Sequence, residues 1–103
     1  MDKETKKLLK IIKGKLYLGE PTLLYSFGQK CTGKGVIVEI GSWKGKSTML
    51  LARGAMKKPN SKIYAIDTFE GTCETPFKKQ NTIIEFKKNM KLAKVDNLVK
   101  PLI

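Results

Sequence analysis

Residues 39–47 read Glu39-Ile40-Gly41-Ser42-Trp43-Lys44-Gly45-Lys46-Ser47, and this stretch decides the fold. Before it, Val36-Ile37-Val38-Glu39-Ile40 is short, β-branched and nearly continuous in apolar character. That is the pattern of a strand buried on both faces of a parallel sheet. Gly41 ends the strand. After the turn, Thr48, Leu51, Ala52, Ala55 and Met56 fall on one helical face, with Lys57 and Lys58 at the negative end of the helix dipole and Pro59 as a stop. Gly54 inside this helix lowers its intrinsic propensity. A glycine turn joining a buried strand to a helix N-terminus lets backbone come close to a ligand.

Lys62-Ile63-Tyr64-Ala65-Ile66-Asp67 reads as a second strand. Thr82-x-x-Glu85 is a capping box opening a helix with Ile83, Phe86, Met90 and Ala93 inward. Leu98-Val99 to Ile103 begins a third strand. Toward the N-terminus, Leu8, Leu9, Ile12 and Leu16 lie at helical spacing. Pro21 suits the first turn of a second helix carrying Leu23, Leu24, Phe27 and Cys31, which the loop Thr32-Gly33-Lys34-Gly35 ends. The order helix, helix, strand, helix, strand, helix, strand predicts an α/β, Rossmann-like open parallel sheet with right-handed crossovers. A length of 103 residues suits one domain, with residues 1–34 forming the N-terminal helices and residues 35–103 the βαβαβ half.

Apolar residues at 41% and charged residues at 29% exclude a disordered chain. The net charge of +12 raises the question of nucleic acid, but 20 of the 21 basic residues are Lys and Arg53 is the sole Arg. Arginine is the residue suited to bidentate phosphate recognition. The lysines are also scattered in pairs, such as Lys6-Lys7, Lys57-Lys58, Lys78-Lys79 and Lys87-Lys88, with no basic stripe interleaved with aromatics. Solvated helix faces account for them better than a nucleic-acid footprint. Cys31 and Cys73, in a chain without histidine, suit neither a disulfide scaffold nor a metal site, and read as reduced thiols. No apolar run reaches the length of a membrane span, and lysines interrupt the N-terminal apolar pairs, so the expected location is the cytoplasm and no membrane partner is expected.

The helix after the turn presents unpaired N–H groups and a partial positive charge, so an anionic group is expected at Gly45 to Ser47. Phosphate and carboxylate both qualify. Gly45-Lys46-Ser47 matches the end of a P-loop, but only three residues separate Gly41 from Gly45 and Ile40 stands where the first glycine would be. The dinucleotide fingerprint fails because Trp43 occupies the place of the glycine that admits a pyrophosphate. A smaller, carboxylate-bearing cofactor fits better. Asp67, at the end of the second strand and 26 residues after Gly41, can accept hydrogen bonds from both hydroxyls of a ribose.

Together, E-x-G-x-W-x-G-x-S followed by I-Y-A-I-D resembles the class I S-adenosylmethionine-dependent methyltransferases, in particular the small O-methyltransferases of the catechol and caffeoyl-CoA type. That family's first motif is matched one by one by Glu39, Gly41, Trp43, Gly45 and Ser47, with Ser42 inside the same turn. The resemblance implies that S-adenosylmethionine is the cofactor. Glu39 would anchor its amino group, Ser47 and nearby amides its carboxylate, and Asp67 its ribose. Thr68 and Phe69 would flank the adenine, although Phe69 is equally suited to packing.

The resemblance covers roughly Leu23 to Ile103 and implies seven strands in the order 3-2-1-4-5-7-6, of which this chain would supply the first three. A truncated domain with strand one as an exposed edge is therefore expected, together with a homodimer or other pairing through that edge. The family's acid or metal ligands that activate the acceptor oxygen lie beyond the third strand, so no catalytic residue or metal ligand is named. For the whole enzyme the resemblance implies methyl transfer to an oxygen of a small molecule. A P-loop-like phosphotransferase and a non-catalytic basic nucleic-acid-binding module are the competing readings.

Overall fold

The computed structural model describes residues 1–70 and 81–103. Cys73 and the Lys78-Lys79 pair lie outside the described residues. Two helices, α1 (Lys3–Ile11) and α2 (Glu20–Gln29), precede β1 (Ile37–Ile40), α3 (Lys46–Ala55), β2 (Ile63–Ile66), α4 (Ile83–Leu92) and β3 (Val99–Leu102). The three strands form one parallel sheet in the order β1-β2-β3. Ile37, Ile63 and Val99 stand in one row across it, and Ile40, Ile66 and Leu102 in another. All three strands therefore point the same way, and the turns that follow β1 and β2 emerge at one edge of the sheet. Pro101, which has no N–H to donate, sits in an edge strand, where a ladder bond is dispensable.

The sheet is covered on one face. Ile63, Ala65 and Val99 join Met49, Leu50 and Leu51 of α3, Phe86 and Met90 of α4, and Leu8 and Ile12 in a single core. Residues pointing the other way, Val38 at 54% and Ile40 at 83% exposure, face solvent. The expectation of a β1 strand buried on both faces is thus corrected: the apolar run is there, but the described helices pack on one side only. β1 also has no partner on its outer edge among the described residues, as expected for the first strand.

Helix α3 is buried from Thr48 to Ala55, sandwiched between the sheet and α2. Its contact with α2 depends on two glycines. A Cβ on Gly28 would stand 2.1 Å from the Leu51 carbonyl oxygen, and one on Gly54 would stand 2.2 Å from that of Tyr25. Backbones this close select the small side of α2. Tyr25 and Gly28 are the buried residues of the helix, whereas Leu23 and Phe27, expected inward, are about half exposed. Size lost to proximity: burying Leu23 and Phe27 against α3 would push the helices apart.

The α1 helix stops earlier than its apolar spacing suggests. Its C-cap Ile12 is already extended, so Leu16 lies in the connector between α1 and α2. The capping box at Thr82 is not formed. Thr82 is αR at the N-cap with no side-chain cap bond, its N–H donates to the Phe69 carbonyl at 2.9 Å, and Glu85 instead pairs with Lys44 at 3.1 Å.

Asp2 ties the helices together. Its carboxylate caps α1 by accepting from the Thr5 amide at 2.7 Å and accepts from Tyr25 Oη of α2 at 3.3 Å. It also pairs with Arg53 of α3 at 3.3 Å. Arg53, itself buried, donates further to Thr5 Oγ1 at 3.0 Å and to the Ala93 carbonyl at 3.1 Å. Burial pushes the Asp2 carboxyl up. Hydrogen bonds from Thr5 and the Arg53 guanidinium together outweigh this and hold it at about 2, against an ordinary 3.8. Burial, and then the neighbouring Asp2 carboxylate, pushes the Tyr25 hydroxyl up.

Because the folded Asp2 carboxyl is the more acidic, its contribution to stability is full above 3.8 and is lost as pH falls toward about 2. Asp2 is 45% exposed, so solvent screening limits the effect to about 1 kcal/mol. Asp2→Asn is expected to remove that part of the acid dependence, read from thermal midpoints of both proteins across this pH range. Identical pH profiles would contradict the assignment.

Candidate cofactor site

The site is built from the turns after β1 and β2. Gly41 (φ 85°) and Gly45 (φ 92°) bracket a loop in which Trp43 also adopts a left-handed conformation (φ 47°). The two glycines serve different ends. A Cβ on Gly41 would meet nothing within 4 Å, whereas one on Gly45 would stand 2.6 Å from Met90 Cε and 2.9 Å from Phe86 Cδ2. Gly45 thus seats the turn against α4, while Gly41 leaves open space in front of it. The turn is closed by the Gly45 N–H donating to the Ser42 carbonyl at 2.9 Å, and Gly41 N–H donates to Ile66 of β2 at 2.8 Å.

Strain at Trp43 is met from the second strand. Asp67 Oδ2 accepts from the Trp43 N–H at 2.6 Å and Oδ1 accepts from the Phe69 N–H at 3.1 Å. The acid at the end of β2 therefore braces both turns, and each of its oxygens retains a further lone pair for a ligand hydroxyl. Lys44 holds the far side. Its Nζ lies 4.6 Å from the Trp43 ring centroid and pairs with Glu85, and its carbonyl accepts from Asn89 Nδ2 at 2.8 Å.

Helix α3 begins at Lys46 with Gly45 as N-cap, and no side chain caps it. The amides of its first turn have no carbonyl partner within the helix, and the dipole adds positive potential there. Glu39, half-buried on β1, accepts from Ser47 Oγ at 2.6 Å and from Thr48 Oγ1. The single proton of Ser47 is therefore committed to Glu39. Ser42 is the opposite case: it is 3% exposed and its Oγ has no hydrogen-bond partner. Ser42, Trp43, Lys46 and Ser47 line a pocket of about 110 Å³ that the connector closes with Lys13, Lys15 and Leu16.

The structure thus brings Glu39, Gly41, Ser42, Trp43, Gly45, Ser47 and Asp67 to one sheet edge. Thr68 follows there, exposed. Phe69 differs from its expected adenine contact. Its ring is 2% exposed and packs edge-on against Phe86, centroids 5.2 Å apart, because its left-handed backbone (φ 57°) turns the side chain into the core. The connector Lys13–Leu16 was not legible in the sequence as part of the site, since Leu16 continues the helical spacing; Gly14 was the available signal. A second cavity of about 220 Å³ lies between α4 and β3, lined by Phe86, Met90, Asp96, Val99 and Pro101 among others. Among the described residues no three Cys, Asp or Glu side chains gather as metal ligands.

An open parallel sheet, a glycine turn feeding an uncapped helix N-terminus and an acid ending the neighbouring strand define a Rossmann-like α/β fold. The family model described as a methyltransferase domain matches residues 38–102. The chain belongs to this methyltransferase domain family. Its fold is similar to that of the O-methyltransferase from Bacillus cereus solved in complex with SAH (TM-score 0.66, 18% identity, over 99% of this chain and 43% of that one). It is similar as well to TomG from Streptomyces achromogenes, an O-methyltransferase involved in tomaymycin synthesis, solved in complex with SAM (TM-score 0.64, 19% identity, over 98% and 42%). This chain therefore spans less than half the length of these structures, and its fold is that of the first three strands of a class I methyltransferase. A search of curated proteins finds no match. No helix among the described residues is long and apolar enough to cross a membrane.

Proposed function

We propose that this chain is the S-adenosylmethionine-binding part of a methyltransferase acting on an oxygen of a small molecule. The observation that carries the reading is the joining of the two turns: the Asp67 carboxylate reaches the Trp43 amide at 2.6 Å, which sets an acid suited to a ribose beside an uncapped helix N-terminus suited to a carboxylate. Glu39, held by Ser47 and Thr48, faces the amino group with its spare lone pairs. The space in front of Gly41 admits the ligand, and Thr68, not the Phe69 ring, is left to border the adenine. In this reading residues 1–34 and 35–103 work as one domain.

The cofactor supplies a methyl group on a sulfonium, open to attack by an acceptor oxygen. The residues of this chain contribute orientation, and aligning two reactants can remove roughly 7–11 kcal/mol of a barrier. A cytoplasmic location and pairing of a second copy along the free edge of β1 belong to the same proposal. Sedimentation of the purified chain tests the pairing; a strictly monomeric profile would contradict it.

The P-loop reading is less favoured because Gly41 and Gly45 are one residue too close, and because Lys46 reaches the Gly14 carbonyl at 3.4 Å. Calorimetric titration separates the two. S-adenosylhomocysteine is expected to give saturable binding and ATP with magnesium none. The reverse pattern would overturn the methyltransferase reading.

A further inference from the structure

We infer that the cavity between α4 and β3 is a second ligand site, one that takes a small aromatic carboxylate and is coupled to the glycine turn through Phe86 and Met90. The cavity holds about 220 Å³, less than the roughly 300–1,000 Å³ of pockets that take drug-sized molecules, which suits a single substituted ring. Phe86 and Met90, at 0% and 2% exposure, form its depth, and Val99 and Pro101 its strand side. An aromatic ring matches this lining, since it packs edge-on with phenylalanine and makes favourable contact with a thioether sulfur. The rim is cationic: Lys87 and Lys91 stand against the single acid Asp96, all three exposed. Four residues apart on a helix, the two lysines share a face, where one carboxylate can meet both. An added peptide strand is a poorer occupant. Leu98 and Leu102 direct their carbonyls to β2, so Val99 and Pro101 present their backbone at the free edge, and Pro101 has no N–H to pair with.

The same two side chains reach the glycine turn from behind. Phe86 Cδ2 and Met90 Cε crowd Gly45 so closely that a Cβ there would lie 2.9 and 2.6 Å from them. Phe86 also packs on Phe69 of the second turn, centroids 5.2 Å apart, and the Phe69 N–H is held by Asp67 at 3.1 Å. Glu85 and Asn89, the chain neighbours of Phe86 and Met90 on α4, both hold Lys44. A ring in the cavity would occupy the space into which Phe86 and Met90 could retreat, keeping both against Gly45 and firming the turn. Resting on the S-adenosylmethionine reading, occupancy of the cavity tightens cofactor binding, and linkage requires the cofactor to tighten the aromatic ligand by the same factor. The link runs through side chains, so the backbone at the rim stays still when the cofactor binds.

Phenylacetate is the probe, with benzylamine as the one-ring compound of opposite charge, each titrated into the isotopically labelled chain without cofactor. Phenylacetate is expected to shift the amides of Lys87, Lys91 and Val99 and the Met90 methyl to saturation, together with the Gly45 amide. It should bind about 5-fold more tightly than benzylamine, and about 5-fold more tightly to the wild type than to Lys87→Ala/Lys91→Ala. At saturating phenylacetate, affinity for S-adenosylhomocysteine should rise about 5-fold in the wild type. That gain should vanish in Met90→Leu, which conserves volume but has no Cε to reach Gly45. No saturable shift at the cavity, equal affinity for the two ring compounds, or a Gly45 amide that stays fixed while the cavity fills would overturn the inference. So would S-adenosylhomocysteine binding that ignores bound phenylacetate, or an undiminished gain in Met90→Leu. If phenylacetate moves the cavity and Gly45 while the folded chain fails to bind S-adenosylhomocysteine, the cofactor reading falls and the second site stands.

Discussion

Gly28→Ala is expected to destabilise the protein by about 3 kcal/mol or more, at the upper end of what overpacking a core costs. The added Cβ would lie 2.1 Å from the Leu51 carbonyl oxygen, 3.0 Å from the Leu51 carbonyl carbon and 3.1 Å from the Ala55 nitrogen. All three are backbone atoms of α3, so no rotamer change relieves the contact and the two helices must separate. Because α3 also carries the uncapped N-terminus at Lys46, separation would tilt that end of the candidate site. Gly35→Ala is the control: a Cβ there meets nothing within 4 Å, and its effect should stay within about 0.5 kcal/mol. Denaturant unfolding of the two variants measures the difference. Equal midpoints would mean that α2 and α3 do not cross at Gly28.

Asp67→Ala should act on binding and on stability together. Loss of an acceptor for the ribose hydroxyls is worth about 1–3 kcal/mol, roughly 5- to 150-fold in affinity for S-adenosylhomocysteine. The same change frees the Trp43 and Phe69 amides, bound at 2.6 and 3.1 Å, and leaves the left-handed Trp43 without its brace, so a stability loss of about 1–2 kcal/mol should accompany it. Asp67→Asn keeps one acceptor oxygen and should recover much of the stability while binding stays weakened. Calorimetric titration well below the thermal midpoint separates the two effects. A folded Asp67→Ala protein with wild-type affinity would remove Asp67 from the site.

The features legible in the sequence are those in which local pattern and tertiary role agree. The β-branched run before Gly41, the helical face after it and the second strand ending at Asp67 predict the parallel β1-β2-β3 order, because strand-helix-strand units admit few topologies. The glycine turn was legible because Gly41 and Gly45 sit where backbone must adopt positive φ. What was not legible depends on proximity in space. Gly54 reads as a helix-weakening residue, yet it and Gly28 set the closest helix crossing. Leu23 and Phe27 belong to the apolar spacing of α2, yet the face with Tyr25 and Gly28 is the one turned inward.

The site divides the same way. Glu39, Asp67 and the turn come together as their spacing implies, but their hydrogen bonds could not be read from residue type alone. Ser42 and Ser47 are chemically identical, and only position decides that Ser47 donates to Glu39 while Ser42 is left unpartnered. Phe69 is one residue from an exposed threonine and wholly in the core, a consequence of one backbone angle. Arg53, notable in the sequence as the sole arginine, proves to be the buried hub joining Asp2, Thr5 and Ala93, a role suited to its rigid fork of donors.

Whether the two turns form one cofactor site can be read from backbone amide resonances of the isotopically labelled chain during titration with S-adenosylhomocysteine. Saturating shifts are expected to concentrate at Gly41 to Ser47 and at Asp67 and Thr68, with the amides of Asp96, Val99 and Lys91 in the cavity between α4 and β3 unmoved. Saturating shifts confined to that cavity, or none in a folded sample, would contradict the shared site.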